Sequence, residues 1–165
     1  MTYYRSACLI IYLLTGGIFL HAQESVQEKP ELSADDTIVY DDSSKLLIAS
    51  GNARLRNGPL LLIAERIEFD RNASIAMASG NAILTVGAFR ALADSMTINM
   101  ETGDVTAINF RMGFDPVVTE GKKAERRDGI IRAEEVNLFF RENNPWEPSL
   151  RVSNFELDPE EGTFA

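Results

Sequence analysis

Pairs of carboxylates are the residues of this sequence whose types and spacing would best allow acid–base chemistry. Glu65, Glu68 and Asp70 lie close together, and Glu134 is followed directly by Glu135. Two such groups can act as acid and base when a substrate lies between them. Here they occupy the outward positions of predicted strands, and no nucleophile accompanies them. We therefore interpret them as part of a solvated face, and we expect no catalytic residue and no enzyme.

The single cysteine and the single histidine both lie near the N-terminus. Cys8 and His21 fall within residues 1–22, where a basic start, a hydrophobic run and the small residue Ala22 predict a secretory signal peptide. Cleavage after Ala22 would leave neither thiol nor imidazole, which excludes a Ser-His triad and a Cys/His zinc site. We expect no metal and no cofactor. The net charge of −9 also argues against nucleic acid as a partner.

A repeat organises the rest of the chain. The phrase Ser50–Leu55 recurs as Ser79–Leu84, which gives a period of about 29 residues, within the range of repeat architectures. A second phrase, a small residue followed by an acidic one and then alternating hydrophobic residues, occurs as Ala64–Phe69, Ala93–Ile98 and Ala133–Leu138. Residues that alternate with period two predict strands with one solvated face. Each repeat is therefore predicted to contain two strands and two turns.

Glycine in the middle of a predicted strand usually marks a bend or a bulge. Gly51 and Gly80 take equivalent places in successive repeats, so a bend is expected in each. A hairpin of this size cannot bury its hydrophobic face alone, so successive units must fold over one another. The fold predicted is all-β, an antiparallel sheet built from repeats of two strands that curls into a β-jelly roll or a flattened, β-helix-like sandwich. A bend in every repeat is what a V-shaped roll of twisted sheets requires.

The domain boundaries follow from composition. Residues 23–36 are acidic, contain Pro30 and are predicted to form a flexible lead-in, and residues 37–165 form the β domain. A last strand is predicted near Phe155, and Gly162 to Ala165 offer no closing element. The domain is therefore interpreted as truncated at its C-terminus.

The repeated phrases resemble the signature of the OstA-like family. Ile67–Asp70, Ala78–Ala82 and Ala93–Met96 carry the resemblance, which extends over residues 37–157. That family includes LptA, the periplasmic bridge protein of lipopolysaccharide export, and the N-terminal domain of its outer-membrane partner LptD. The resemblance implies a jelly roll whose hydrophobic interior holds the acyl chains of lipopolysaccharide. It also implies a periplasmic, or outer-membrane-associated, protein that joins other jelly rolls of the export bridge by pairing of strand edges.

Two sets of residues follow as candidates. The interior, lipid-binding face is predicted to contain Ile63, Ile67, Phe69, Met77, Leu84, Met96, Ile98, Ile108, Phe110, Val136 and Leu138. A basic cluster in this acidic chain, which includes Arg132, either forms a solvated surface or contacts lipid phosphates. The candidates for phosphate contacts are Lys122, Lys123, Arg126 and Arg127.

Several alternatives stay open. Residues 120–125, 131–135 and 145–151 are similar to the region that leads into the barrel of the outer-membrane partner. No barrel follows here, so a bridge protein and a truncated partner are both consistent with the sequence. A carbohydrate-binding or adhesive β-repeat would show several exposed aromatic residues on one face, and this chain has few. A structural scaffold that polymerises through sheet edges without lipid would have a solid core with no groove.

Overall fold

Alternating hydrophobic and polar residues build a single antiparallel sheet, in which short turns connect the strands from residue 37 to residue 114. The computed structural model describes residues 29–114, 117–140, 149–158 and 163–164. The strands are β1 (Glu31–Ser33), β2 (Thr37–Asp41), β3 (Leu46–Asn57), β4 (Leu60–Asp70), β5 (Ile75–Val86), β6 (Phe89–Asn99), β7 (Val105–Phe114), β8 (Val117–Arg127), β9 (Ile130–Phe140), β10 (Leu150–Asp158) and β11 (Thr163–Phe164). The described residues contain no helix of the length and hydrophobicity needed to cross a membrane.

The topology is a meander from β3 to β11 in which every strand pairs with the next one along the chain. At one edge, β1 pairs with the C-terminal half of β3 and β2 pairs with its N-terminal half. Together they form a broken edge strand. The predicted all-β antiparallel architecture is thereby confirmed. Residues 31–33, which the sequence placed in a flexible lead-in, instead form β1, because Leu32 pairs with Leu55 and packs against the core.

The turns at one end of the sheet repeat with the same spacing as the strands. Asp41, Asp70 and Asn99 take equivalent places in successive repeats, and each accepts a hydrogen bond from the backbone N–H group two residues further on, at 3.0, 2.8 and 2.9 Å. Side chains of this kind stabilise a turn by replacing a backbone acceptor. The hydroxyls of Ser43 and Ser44 also donate to Asp41 and lower the pKa of that carboxyl to about 2.

A line of irregular residues crosses the sheet and divides every long strand into two halves. Two residues of β3, Gly51 and Asn52, face one residue of β4, and the same excess occurs in β5 at Gly80 and Asn81. All four have positive φ angles. Later strands continue the line through residues that are not glycine, Asn109 (φ 51°) and Glu135 (φ 52°). The bends predicted at the glycines are confirmed, and we call this line the corner.

Asparagine and acidic side chains hold the corner together. Asn52 donates to Asp35 at 2.9 Å, Asn81 to Glu65 at 2.7 Å and Asn109 to Asp94 at 2.7 Å. Asparagine adopts the left-handed conformation more readily than most residues, and its amide remains free to donate. Each of these left-handed asparagines is therefore held by an acidic residue that precedes it in the chain.

The corner allows the two halves of the sheet to face each other. We call the half that contains Ala53–Asn57 and Leu60–Ala64 arm A, and the half that contains Leu46–Ser50 and Arg66–Asp70 arm B. One hydrophobic cluster combines buried residues of both arms, such as Leu62 and Leu84 from arm A with Ile67 and Ile98 from arm B. Beside the corner the buried positions are largely alanine, and bulkier residues follow further out. The predicted signal peptide, residues 1–22, and the single tryptophan, Trp146, lie outside the described residues.

Candidate functional site

The inner faces of the two arms enclose a hydrophobic cavity of about 350 Å³. Leu84, Phe89 and Met112 line it from arm A, while Met96 and Val105 line it from arm B. Ala91, Ala107, Phe110, Ala124 and Ile131 complete most of the wall. A concave site lined mainly by hydrophobic side chains is the usual form of a site for an apolar small molecule.

Alanines explain why the cavity lies between β6 and β8. On arm A the inner row runs through Leu55, Leu62 and Leu84, and it then reaches Ala91 before Met112. Leucines fill the space between the arms at the N-terminal strands, whereas an alanine leaves several methylene volumes empty. Protein interiors are otherwise close-packed, so an unfilled space of this size marks a place where another molecule can contribute the missing contacts.

One arginine interrupts a hydrophobic row on the inner face of arm B. Arg126 lies between Val105 and Ile131 in that row and lines the cavity. Its guanidinium is partly buried and donates to the backbone carbonyl of Gly103 at 2.8 Å. A guanidinium has five N–H donors, so this single bond leaves further donors for an anionic group at the mouth of the cavity.

Seven of the predicted interior residues lie buried on the inner face, and an eighth, Leu138, packs partly buried against the core. The seven are Ile67, Phe69, Leu84, Met96, Ile98, Phe110 and Val136. Leu84, Met96 and Phe110 also line the cavity. The others pack within the two arms and support its walls.

Three predicted interior residues lie on the outer face. Met77 and Ile108 are 38% and 40% exposed, and Ile63 is half-buried. Around Met77 the buried residues are Ala76 and Ala78, because their small side chains face Phe69 and Ile67 on the neighbouring strand. The prediction that placed Met77, the largest residue of this hydrophobic run, on the inner face was therefore wrong.

Ile63 and Ile108 are misplaced for a different reason. The corner lies between Ile63 and the buried Ile67, and it reverses which alternate residues face inward. In β7 the same reversal separates Ala107 from Phe110, so Ile108 points outward. Strand alternation cannot be carried across the corner in β4 and β7, because the buried residues on its two sides, such as Ala64 and Ile67, are an odd number of positions apart.

The predicted basic cluster is divided between two faces. Lys122 pairs with Glu135 at 2.6 Å on the surface, whereas Lys123 and Arg127 share Glu125 at 2.7 and 3.6 Å. The hydrogen bond from Lys123 lowers the pKa of Glu125 and raises that of the lysine. Arg126 is the member of the predicted cluster that faces the cavity.

The acidic residues considered first have structural contacts. Glu65 accepts the Asn81 amide at the corner, Glu68 is bound by Arg66 at 2.9 Å, and Asp70 caps a turn. In the part of the chain that the structure describes, no three histidine, cysteine or acidic side chains converge on a position that could hold a metal.

Sequence reasoning missed Phe89, Ala91, Val105 and Met112 as residues of the cavity wall. All four were visible in the alternation of β6 and β7. Phe89 and Ala91 share the inward parity of Ala93, Met112 shares that of Phe110, and Val105 shares that of Ala107. Parity counted separately on each side of the corner would have identified them.

The chain has the fold of an LptA-like β-jelly roll, as the comparison with solved structures shows. A similar structure is that of LptH from Pseudomonas aeruginosa, described as the LptA-homologous periplasmic component of the lipopolysaccharide transport device. The two match with a TM-score of 0.58 and 16% sequence identity, over 76% of this chain and 94% of LptH. At this identity the likeness concerns the fold. No protein-family model matches the sequence, and no curated protein matches it either.

Proposed function

We propose that this protein is a periplasmic lipopolysaccharide-binding module that shields acyl chains on their way to the outer membrane. The observation that carries the proposal is the hydrophobic cavity of about 350 Å³ between the two arms. Exposing a twelve-carbon chain to water costs about 9 kcal/mol, at roughly 0.8 kcal/mol per methylene. A lipid that crosses an aqueous compartment therefore needs such a groove.

The likeness to LptH supports the same role through the fold, since that protein is a component of a lipopolysaccharide transport device. In our proposal the protein acts as a non-catalytic carrier, either as a component of the bridge or as the N-terminal domain of the outer-membrane partner.

The edge of the sheet offers the contact for such neighbours. Ile38, Val39 and Tyr40 in the edge strand β2 are about half exposed, and only one side of β2 pairs with another strand in the described part of the chain. An open edge with hydrophobic side chains favours the addition of another strand. We propose that neighbouring jelly rolls of the export bridge pair here.

A structural scaffold that polymerises through its sheet edges without lipid is the alternative. The open edge at β2 is compatible with it. A scaffold has no need for an unfilled cavity between its arms, however, and the cavity-lining alanines Ala91 and Ala107 favour a carrier.

Photo-crosslinking in cells tests the proposal. A photoreactive amino acid at Phe89, which lines the cavity, is expected to yield a lipopolysaccharide-linked species on immunoblots. The matched control replaces Met77, which lies on the outer face of arm B and is 38% exposed. A signal at position 89 and none at 77 supports the carrier. Equal signals, or none at 89 in a folded and exported protein, would refute it and favour the scaffold.

Arg126 is expected to recognise the phosphate of the lipid. Replacing it with glutamine removes a cation from the mouth of the cavity, and a hydrogen bond between charged groups contributes about 1.5–3 kcal/mol. We expect Arg126→Gln to weaken binding of phosphorylated lipid A by about 10-fold or more. Binding of a dephosphorylated form should change little. Fluorescence titration with both lipids measures the difference.

Arg127→Gln is the control for this variant. Arg127 is adjacent in sequence but lies on the surface with Glu125, so its loss should leave the affinity for both lipids unchanged. If Arg126→Gln weakened the binding of both lipids equally, the residue would act through packing and would not bind phosphate.

A further inference from the structure

The hydrophobic cavity between the arms is bounded on two sides by bulky side chains. Towards the N-terminal strands, Leu62 and Leu84 are buried neighbours in the inner row of arm A. Towards the C-terminal strands, the lining residues extend as far as Ile131 in β9. Beyond it, Phe155 and Leu157 take the buried, inward positions of β10. The cavity is therefore confined to the strands between these two groups.

Small side chains form the floor of the cavity on arm B. Met96, Ala107, Ala124 and Ala133 follow one another in a single cross-strand row, and Phe155 comes next in that row. Met96, Ala107 and Ala124 line the cavity. The alanines leave more space than the larger residues that precede and follow them. This space runs across the strands, so its shape suits an extended chain.

The volume of the cavity limits how much of a lipid it can hold. A methylene group and a water molecule are similar in size, and a water molecule takes up roughly 30 Å³ of the liquid. A cavity of about 350 Å³ therefore has room for about twelve methylenes, which amount to one acyl chain. Two chains side by side would need twice this volume, and the close packing of the residues around the cavity does not provide it.

We propose that the cavity binds a single acyl chain of about twelve carbons, so that a monoacyl lipid with a phosphate head group is a sufficient ligand. The inference rests on the proposed function, because it concerns the same cavity, and it adds a limit on the number and length of the chains. A lipid with several acyl chains inserts one of them here, and neighbouring modules must cover the others. Leu84 at one side and Ala124 in the floor then determine which chain length fits.

Titration with lysophosphatidic acids of increasing chain length tests the proposal. The full chain is titrated below the critical micelle concentration with saturated chains of about eight to about eighteen carbons, which displace a fluorescent fatty acid. We expect one lipid per protein and an affinity that rises about 4-fold with each methylene up to about twelve carbons. Longer chains should gain nothing, because their additional methylenes remain in water. An affinity that still rises at the longest chains, or two lipids bound per protein, would overturn the proposal.

Two variants that change the cavity in opposite directions test whether it selects the chain length. Ala124→Leu adds three carbons to the floor and should lower the length at which affinity stops rising to about nine carbons. Leu84→Ala removes three carbons from the wall and should raise that length to about fifteen. A loss of stability alone would not shift the two variants in opposite directions.

Matched controls place the same changes on the outer faces of the sheet. Thr97→Leu adds a leucine at an exposed position of arm B, and Leu92→Ala truncates a leucine that is 41% exposed on arm A. Both should retain the chain-length dependence of the unmodified protein. Thermal unfolding checks that every variant is folded. An unchanged chain-length dependence in a folded Ala124→Leu or Leu84→Ala protein would contradict the proposal.

Lipopolysaccharide in the same displacement assay separates this inference from the function on which it rests. Displacement of lipopolysaccharide by a twelve-carbon lysophosphatidic acid would support both. Binding of lipopolysaccharide without binding of any monoacyl lipid would refute the single-chain site and leave the carrier function intact. If a folded protein bound neither lipid, both proposals would fail.

Discussion

Ile67→Glu is expected to unfold the protein. Ile67 is 0% exposed, and its inner-row neighbours are Ala49 and Ala78, which offer no polar group. A carboxylate there would lose its hydration without gaining a hydrogen bond, in addition to the loss of the packed side chain. We expect a loss of more than about 4 kcal/mol in the free energy of unfolding, which is most of the stability of a typical domain. Urea denaturation followed by circular dichroism measures it.

Leu92→Glu is the control for this prediction. Leu92 is also a large aliphatic residue in a strand, but it is 41% exposed and lies beside Arg111. Its replacement should change the free energy of unfolding by less than about 1 kcal/mol. If the two variants were equally destabilised, or if Leu92→Glu were the worse of the two, the assignment of inner and outer faces would be wrong.

Ala91→Phe is expected to weaken lipid binding strongly without destabilising the fold. Ala91 lies between Leu84 and Met112 on the cavity wall, and a phenyl ring at this position would occupy space within the cavity. A ligand that loses contacts equivalent to about four methylenes binds more weakly by roughly 3 kcal/mol, or about 100-fold. The melting temperature should be unchanged or higher, since the ring fills an unoccupied volume. Lipopolysaccharide binding and thermal unfolding are measured on the same sample.

Thr97→Phe provides the comparison for the cavity-filling variant. Thr97 is exposed on the outer face of arm B, next to Met77, so the same ring lies outside the cavity. It should leave lipid affinity unchanged. Normal binding by a folded Ala91→Phe protein would show that the acyl chains lie elsewhere, and the lipid-carrier proposal would then lose its main support.

The fold was predictable because two patterns in the sequence, the alternation of hydrophobic residues and the repeated glycines, agree with each other. Alternating residues around Ile67 and Ile98 indicate strands, and the glycines at positions 51 and 80, which are equivalent in successive repeats, indicate where those strands bend. Strand pairing between sequence neighbours needs little further information, since short turns leave few other arrangements. The edge strands were harder to predict. The strand β1 is very short, and its position depends on a contact between Leu32 and Leu55 that no local pattern shows.

The site was predicted less completely because it depends on which side of each strand faces inward. In β7 at Asn109 and in β9 at Glu135, the set of alternate residues that faces inward changes, and no glycine in the strand marks the position. Ile108 was therefore assigned to the wrong face. The cavity itself follows from the sizes of side chains on strands that are far apart in sequence, such as Ala91 and Ile131, and a single sequence does not specify which of these face each other.

The corner has a consequence for how such a protein can change in length. Each repeat brings its own bend and its own acidic acceptor, as Glu65 does for Asn81 and Asp94 for Asn109. Inserting one more repeat would add two strands, or about 10 Å along the row of strands, without altering the cross-section. The distance over which the two arms extend is then set by the number of repeats, so the protein can be lengthened by duplication of a short segment of its gene.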